Sequence, residues 1–320
     1  MKKKILKKLN DILNIYHYFG IKFASLEFCI NIIFSKIPYL KRKIIIVRNK
    51  AVKNELYAKY RYVVERYKVV QDNCEKIERE SKIFIFWWQG FDNCPEIVNT
   101  CISSIKQNSI NKEVIMISRK NYKNYIDVPS YIICKVEKGI IPLAHFSDLL
   151  RVMLLEKYGG IWFDATIYLS KSLDDEIYNY GFYSVKHELY NDFHICKGLW
   201  TTSVLMSSRN NPMMSYIKDF LLEYWKKENY VITYLFLDCV ISLGYDYIEY
   251  IKKYIDSVPK NNEDIFKIEN NFSNYYNKNI FDMERSKTYI YKTNYKRKLL
   301  KEKKGQLTFY GQLLLRSNKI

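Results

Sequence analysis

The chain has 320 residues, 48% of them hydrophobic, which supports one large domain with an appendage and a substantial core and excludes a disordered chain. Its net charge of +18 sits at the two ends: residues 1–80 carry 19 basic and 8 acidic side chains (+11), residues 281–320 carry 11 and 3 (+8), and the 200 residues between them come to −1. That asymmetry argues against a nucleic-acid groove through the core and for basic flanks that meet an acidic surface, of which anionic lipid is the simplest. Nucleic acid is the rival, since 30 Tyr and 17 Phe stand beside 52 Lys and Arg, but no RNP or C2H2 pattern is present and none is expected as a partner. Seven cysteines without C-x-x-C or metal-ligand spacing read as reduced core thiols and a cytosolic face.

The start, MKKKILKKLNDILNIYHYF, is basic but lacks the uninterrupted apolar core of a cleaved signal. Residues 21–40 are the most apolar N-terminal run, interrupted by Lys22, Glu27 and Lys36 too often for a bilayer span. Two readings stay open there: an amphipathic helix in the membrane interface, or a helix packed on the rest of the chain. Residues 50–77 continue helically, with Val52, Leu56, Tyr60, Val63, Val64, Tyr67 and Val70 near the helical period. The division expected is a basic helical region over 1–80 and the main domain over 81–320.

Residues 82–88, KIFIFWW, form a near-continuous apolar strand suited to a sheet buried on both faces, and Gln89-Gly90 ends it. Pro95 opens a helix, and residues 113–118 form a second strand, giving a βαβ entry to a nucleotide-binding sheet. No G-x-G-x-x-G follows the first strand and no G-x-x-x-x-G-K-[ST] occurs, so dinucleotide and P-loop readings lose their support. Trp87-Trp88 stands at the strand end instead. An indole there can stack on a base or fill the core.

Residues 145–169 read HFSDLLRVMLLEKYGGIWFDATIYL. Ser147 is placed as an N-cap with Asp148 in the first turn, the helix stops at Gly159-Gly160, and IWFDATIYL is a buried strand. Asp148 and Arg151, three apart, share a helix face, and Asp164 comes near the end of its strand. Ligands of open α/β sheets bind beyond the carboxyl ends of strands. An acid there beside a carboxylate–guanidinium pair suits a phosphate-bearing ligand with sugar hydroxyls and a metal. A surface ion pair with a turn-capping Asp is the plainer alternative.

Further on, residues 182–185 and 203–207 read as short strands, Pro212 opens a helix through Trp225, and residues 230–248 read as a buried helix interrupted near Gly244. Asp238 within it reads, from the residues alone, as a buried acid with a partner. The four histidines form no H-x-x-H. His145, just before Ser147-Asp148, either reaches a phosphate or is structural.

The pattern S-D-x-x-R, a spacer, then G-G-x-x-x-D-A-T (Ser147, Asp148, Arg151, Gly159, Gly160, Asp164, Ala165, Thr166) resembles the capsular polysaccharide synthesis proteins and the related family-32 sugar transferases with a DXD motif. The likeness is strongest over 83–170, weaker over 195–245 and faint near 288–300. It implies an α/β fold of GT-A type, Rossmann-like, and a retaining glycosyltransferase. The donor would be a nucleotide sugar, of the UDP kind, and the acceptor a lipid-linked or growing saccharide at the inner face of the cell membrane. Catalytic roles then fall on Asp148, Arg151, Asp164 and Asp238, and donor contacts on Ser147, Asp148, Arg151, Asp164 and Lys292, with Trp87 stacked on uracil. Asp164 and Thr166 occupy the metal-binding positions for Mn2+ or Mg2+, but Thr166 replaces the second Asp and offers only a neutral hydroxyl. In TYIYKTNYKRKL, Tyr291 replaces the His of a His-Lys pair and Lys292 is kept. A scaffold that binds nucleotide without turnover is the alternative that Thr166 leaves open.

Overall fold

The computed structural model describes residues 2–72, 74–109, 111–187, 193–279 and 288–317. The chain opens with helices α1 (Lys2–Phe19) and α2 (Ile21–Phe28), a π-helical turn at Cys29–Ile33, and the 31-residue α3 (Pro38–Lys68). Pro38 suits the start of α3 because its preset φ fits the helix and its missing N–H would have had no intrahelical partner.

Next come β1 (Ile83–Phe86), α4 (Glu96–Gln107), β2 (Val114–Ile117), α5 (Ser130–Glu137), α6 (Leu143–Tyr158), β3 (Gly160–Asp164) and β4 (Ile167–Leu169). They are followed by β5 (Phe182–Ser184), β6 (Val204–Ser207), α7 (Pro212–Lys227), α8 (Phe236–Tyr247), α9 (Glu249–Ser257) and, near the C-terminus, β7 (Ile290–Lys292).

The architecture is mixed α/β. The main sheet has the order β2-β1-β3-β6-β5, parallel from β2 through β3 and antiparallel from β3 to β5. β1, α4 and β2 realise the expected βαβ unit. All four residues of β1 are buried, as a strand covered on both faces requires. The parallel register sets Phe86 opposite Asp164, so Trp87 and Asp164 leave the sheet at the same carboxyl edge.

α3 carries the helical run expected from residue 50 onward: Val52, Leu56, Tyr60, Val63 and Val64 recur on one face and bury against α7 and α8, in a hydrophobic cluster continuous with the sheet. α1 and α2 pack on one another and leave a series of apolar side chains exposed, among them Leu6, Leu9, Leu13 and Ile21.

Three local expectations are corrected. The helix over 143–158 starts four residues before Ser147, with Pro142 at its N-cap position, so Ser147 lies in the second turn and caps nothing. IWFDATIYL is two strands: the chain turns at Ala165-Thr166 and leaves the main sheet, and β4 pairs antiparallel with β7 instead. The break expected at Gly244 falls at Ile248, between α8 and α9. Gly244 stays helical, and Tyr216 crosses there so closely that a Cβ would lie 2.7 Å from its ring, which only glycine accommodates.

The reversal at Gly159-Gly160 is as expected, and both glycines have positive φ (67° and 100°). A Cβ on Gly160 would sit 2.5 Å from the Lys82 carbonyl oxygen, a backbone atom that cannot swing aside. Gly160→Ala should cost about 3 kcal/mol from φ strain and the clash together. Thermal unfolding should show a melting point lowered by several degrees; an unchanged one would contradict the tight turn.

Candidate functional site

The site grows from the carboxyl end of β3. Trp162 and Asp164 are two apart on a strand and point to the same face, so the Trp162 indole Nε1 donates to Asp164 Oδ1 at 3.0 Å. The short turn after α6 brings the helix back over the strand, and Arg151 Nη2 donates to the same oxygen at 2.9 Å. Arg151 Nη1 donates to Asp148 Oδ1, also at 2.9 Å, and its guanidinium lies 5.0 Å from the Trp162 ring centroid. Lys292, delivered by the pairing of β7 with β4, donates to Asp164 Oδ2 at 2.5 Å. The backbone amide of Thr293, at 2.8 Å, and its hydroxyl, at 3.0 Å, both donate to the Thr166 carbonyl and fix that approach.

These groups line a cavity of about 610 Å³ at the carboxyl edge of the sheet. It gathers every residue to which the resemblance gave a site role: Trp87, Ser147, Asp148, Arg151, Asp164, Thr166, Asp238 and Lys292. Asp238 stands in the first turn of α8 with Oδ1 accepting from the Trp200 indole Nε1 at 2.9 Å. His145 is outside the lining. It is buried among Trp225, Tyr234 and Phe236, with Nδ1 3.6 Å from Asp148 Oδ2, and burial pushes its pKa down to about 4, so it backs the site as a neutral ring.

The carboxylates differ in charge state. Burial pushes Asp148 up to about 7 against the pull of Arg151, and the nearby Asp164 and Asp238 charges add to the rise. Asp238 is raised to about 6, again by burial, tempered by its hydrogen bond from Trp200. Burial would also raise Asp164, but Lys292 and Arg151 outweigh it and hold that carboxyl below its ordinary value. Asp164 is thus a fixed anion, and Asp148 and Asp238 titrate near neutrality.

Tyr295, Lys296, Glu269, Tyr234 and Phe266 line the cavity too and were not singled out from sequence. Tyr295 meets Trp87 edge-on, with ring centroids 5.1 Å apart. The available signal was the basic, aromatic K-T-N-Y-K run after Tyr291. Tyr291 itself is buried, with its hydroxyl donating to the Thr288 carbonyl at 2.6 Å, so it faces the packing rather than the cavity. Trp88, also on the lining, packs on Phe146 and Tyr122 and is mainly a core residue.

Among the described residues, no group of three or more His, Cys, Asp or Glu is placed to hold an ion. Both Asp164 oxygens already accept from cationic groups, and Thr166 brings no charge.

Cations and carboxylates thus stand together at the carboxyl edge of an α/β sheet, beside an aromatic wall, the edge at which open α/β sheets bind ligands. The chain belongs to the capsular polysaccharide synthesis protein family, whose model matches residues 33–313. It is similar to an "O-glycosyltransferase braB" of Annulohypoxylon truncatum, 27% identical over 112 residues, which is 32% of this chain and 27% of that protein. A more distant likeness is the solved "PaToxG Glycosyltransferase", at TM-score 0.39 and 14% identity, covering 67% of this chain and 89% of that one.

The raised Asp148 predicts a pH dependence of stability. A carboxyl whose folded pKa lies above its ordinary 3.8 stabilises the fold fully only below 3.8, and that contribution is lost as pH rises through about 7. From pH 5 to pH 8, wild type should therefore lose about 1–2 kcal/mol relative to Asp148→Asn, with partial solvent exposure tempering the figure. Chemical denaturation at the two pH values measures this, and a constant difference would mean Asp148 titrates normally.

Proposed function

We propose that the protein is a glycosyltransferase that moves a glycosyl group from a nucleotide sugar to a saccharide hydroxyl in capsular or related cell-surface polysaccharide assembly. The observation carrying this reading is the convergence of Arg151 and Lys292 on Asp164 in a cavity walled by Trp87. Trp87 and Tyr295 offer ring faces and edges to a base, which suits uracil and hence a UDP-sugar. Ionised Asp148 accepts hydrogen bonds from sugar hydroxyls. Lys292 and Arg151 stabilise the diphosphate as the bond from the anomeric carbon to its oxygen breaks and the electron pair leaves with that oxygen. Asp238 orients the incoming hydroxyl. Its oxygen bonds to the anomeric carbon while its proton passes to the departing phosphate oxygen, so attack occurs on the leaving-group face and retains configuration, as the family resemblance implies.

Losing one charged partner in such a site commonly costs a few kcal/mol, so Asp164→Asn should lower transfer by about 100-fold or more. A panel of nucleotide sugars should raise the melting point of wild type, UDP-sugars most, since a ligand that binds only the folded state stabilises it. Full activity of Asp164→Asn at saturating donor would sink the assignment. Binding without turnover would favour a non-catalytic scaffold.

With one carboxylate already engaged by cations, the divalent cation suggested by the family resemblance is, in this reading, brought in by the donor diphosphate. Calorimetry of Mn2+ with the free protein should give no tight binding, and Thr166→Asp should create it by adding a second hard anionic ligand. Tight binding to free wild type would contradict this.

The second part of the proposal is attachment to an anionic membrane surface. Among the described residues, 14 of the 24 exposed large apolar side chains fall within residues 5–47, in the same stretch as Lys7, Lys8, Lys22, Lys36, Lys41, Arg42 and Lys43. Apolar side chains interleaved with cations are what an interfacial helix presents to lipid, each cation near the surface adding about 1 kcal/mol. No helix among the described residues is long and apolar enough to cross a membrane. Replacing Leu6, Leu9 and Leu13 with serine should release the protein from phosphatidylserine vesicles in flotation assays; unchanged flotation would refute the attachment.

A further inference from the structure

A second cavity, of about 370 Å³, lies where α3 and α8 pack together, and it shares no lining residue with the first. This is the small end of the range of about 300–1,000 Å³ typical of small-ligand pockets. Its lining joins two chemistries. The rings of Trp200, Tyr245 and Tyr247 line it together with the polar Asn49, Lys50, Lys53 and Ser242.

Asn49 is 6% exposed. Its Nδ2 donates to the Phe193 carbonyl at 3.2 Å, while its Oδ1 is buried with no hydrogen-bond partner among the described residues. A buried carbonyl left unpaired costs about 1–3 kcal/mol, so this oxygen calls for a donor from whatever fills the cavity. Lys53 is held by Ser242 Oγ at 2.7 Å and by Asp246, the one acid on the lining. With Lys53 matched by Asp246, the exposed Lys50 gives the edge of the cavity its positive charge.

We propose that this cavity binds an acidic saccharide unit: a ring hydroxyl donates to Asn49 Oδ1, the apolar ring face lies on an aromatic ring of the lining, and a carboxylate or phosphate meets Lys50. A simple anion site would not need the aromatic lining or the buried acceptor, and an apolar ligand would leave both Asn49 and Lys50 unmatched. The cavity also touches the first through one side chain. Trp200 lines it, and the Trp200 indole N–H holds Asp238 at 2.9 Å in the donor pocket. An occupant therefore bears on the residue that orients the acceptor hydroxyl. Its role as the seat of a distal unit of the acceptor or product chain rests on the glycosyltransferase reading; the binding itself does not.

The test is calorimetry on the full chain with D-glucuronic acid, glucose 6-phosphate and glucose as probes, each with and without saturating UDP. At least one acidic probe should bind more tightly than glucose, and whichever does so identifies carboxylate or phosphate as the charged group. Lys50→Glu, at an exposed position, should weaken the acidic probe about fivefold, the worth of an exposed charge contact, and leave glucose unchanged. Asn49→Leu should weaken all three; if that variant does not fold, Lys50→Glu carries the test alone. UDP should not compete. Absence of binding by both acidic probes, competition by UDP, or indifference to Lys50→Glu would each overturn the proposal. Because no arm reads transfer, a failed donor assignment would leave this result standing, and the converse.

Discussion

The structure of the site depends on one carboxylate. Asp164 ends a strand that is otherwise buried, and an anion there would be costly without partners. It receives three: Arg151 from the preceding helix, Trp162 from its own strand and Lys292 from a strand more than a hundred residues on. Each element must be where it is for that charge to be held. The glycine reversal sets α6 against β3, and the turn at Ala165-Thr166 sends β4 out to collect β7.

The same arrangement explains how the pocket divides its labour. An acid that stays ionised holds two cations in place, while Asp148 and Asp238, raised by burial, sit where modest changes in surroundings change their charge. Opposite charges held together by hydrogen bonds suit the ligand of the proposed function, which carries phosphate at one end and hydroxyls at the other. In that proposal a diphosphate between Arg151 and Lys292 would compete with Asp164 for their N–H groups and gain from a site already organised around charge.

Much of this was legible in sequence because it is local. The three-residue spacing of Asp148 and Arg151, the glycine pair and the strand-end acid fix one another's positions through helix and strand periodicity alone, and β1, α4 and β2 follow from continuous apolar runs. Ser147 misled because a cap depends on where the helix begins, and Pro142, not the serine, decides that. The unbroken reading of IWFDATIYL failed because its apolar residues are buried whichever sheet they join, so apolar pattern could not register a change of partner. Tyr295 and Lys296 were missed for a related reason: they reach the pocket only through the long-range pairing of β4 with β7, and no short-range spacing announces that.

In the proposed function Lys292 and Arg151 are held by Asp164 in readiness for a diphosphate. A crystal structure with a non-hydrolysable UDP-sugar measures this directly. The uracil should lie against Trp87 and the Lys292 ammonium within hydrogen-bond distance of a phosphate oxygen, with Arg151 still on Asp164. A nucleotide bound elsewhere, or a diphosphate that leaves both cations untouched, would contradict it.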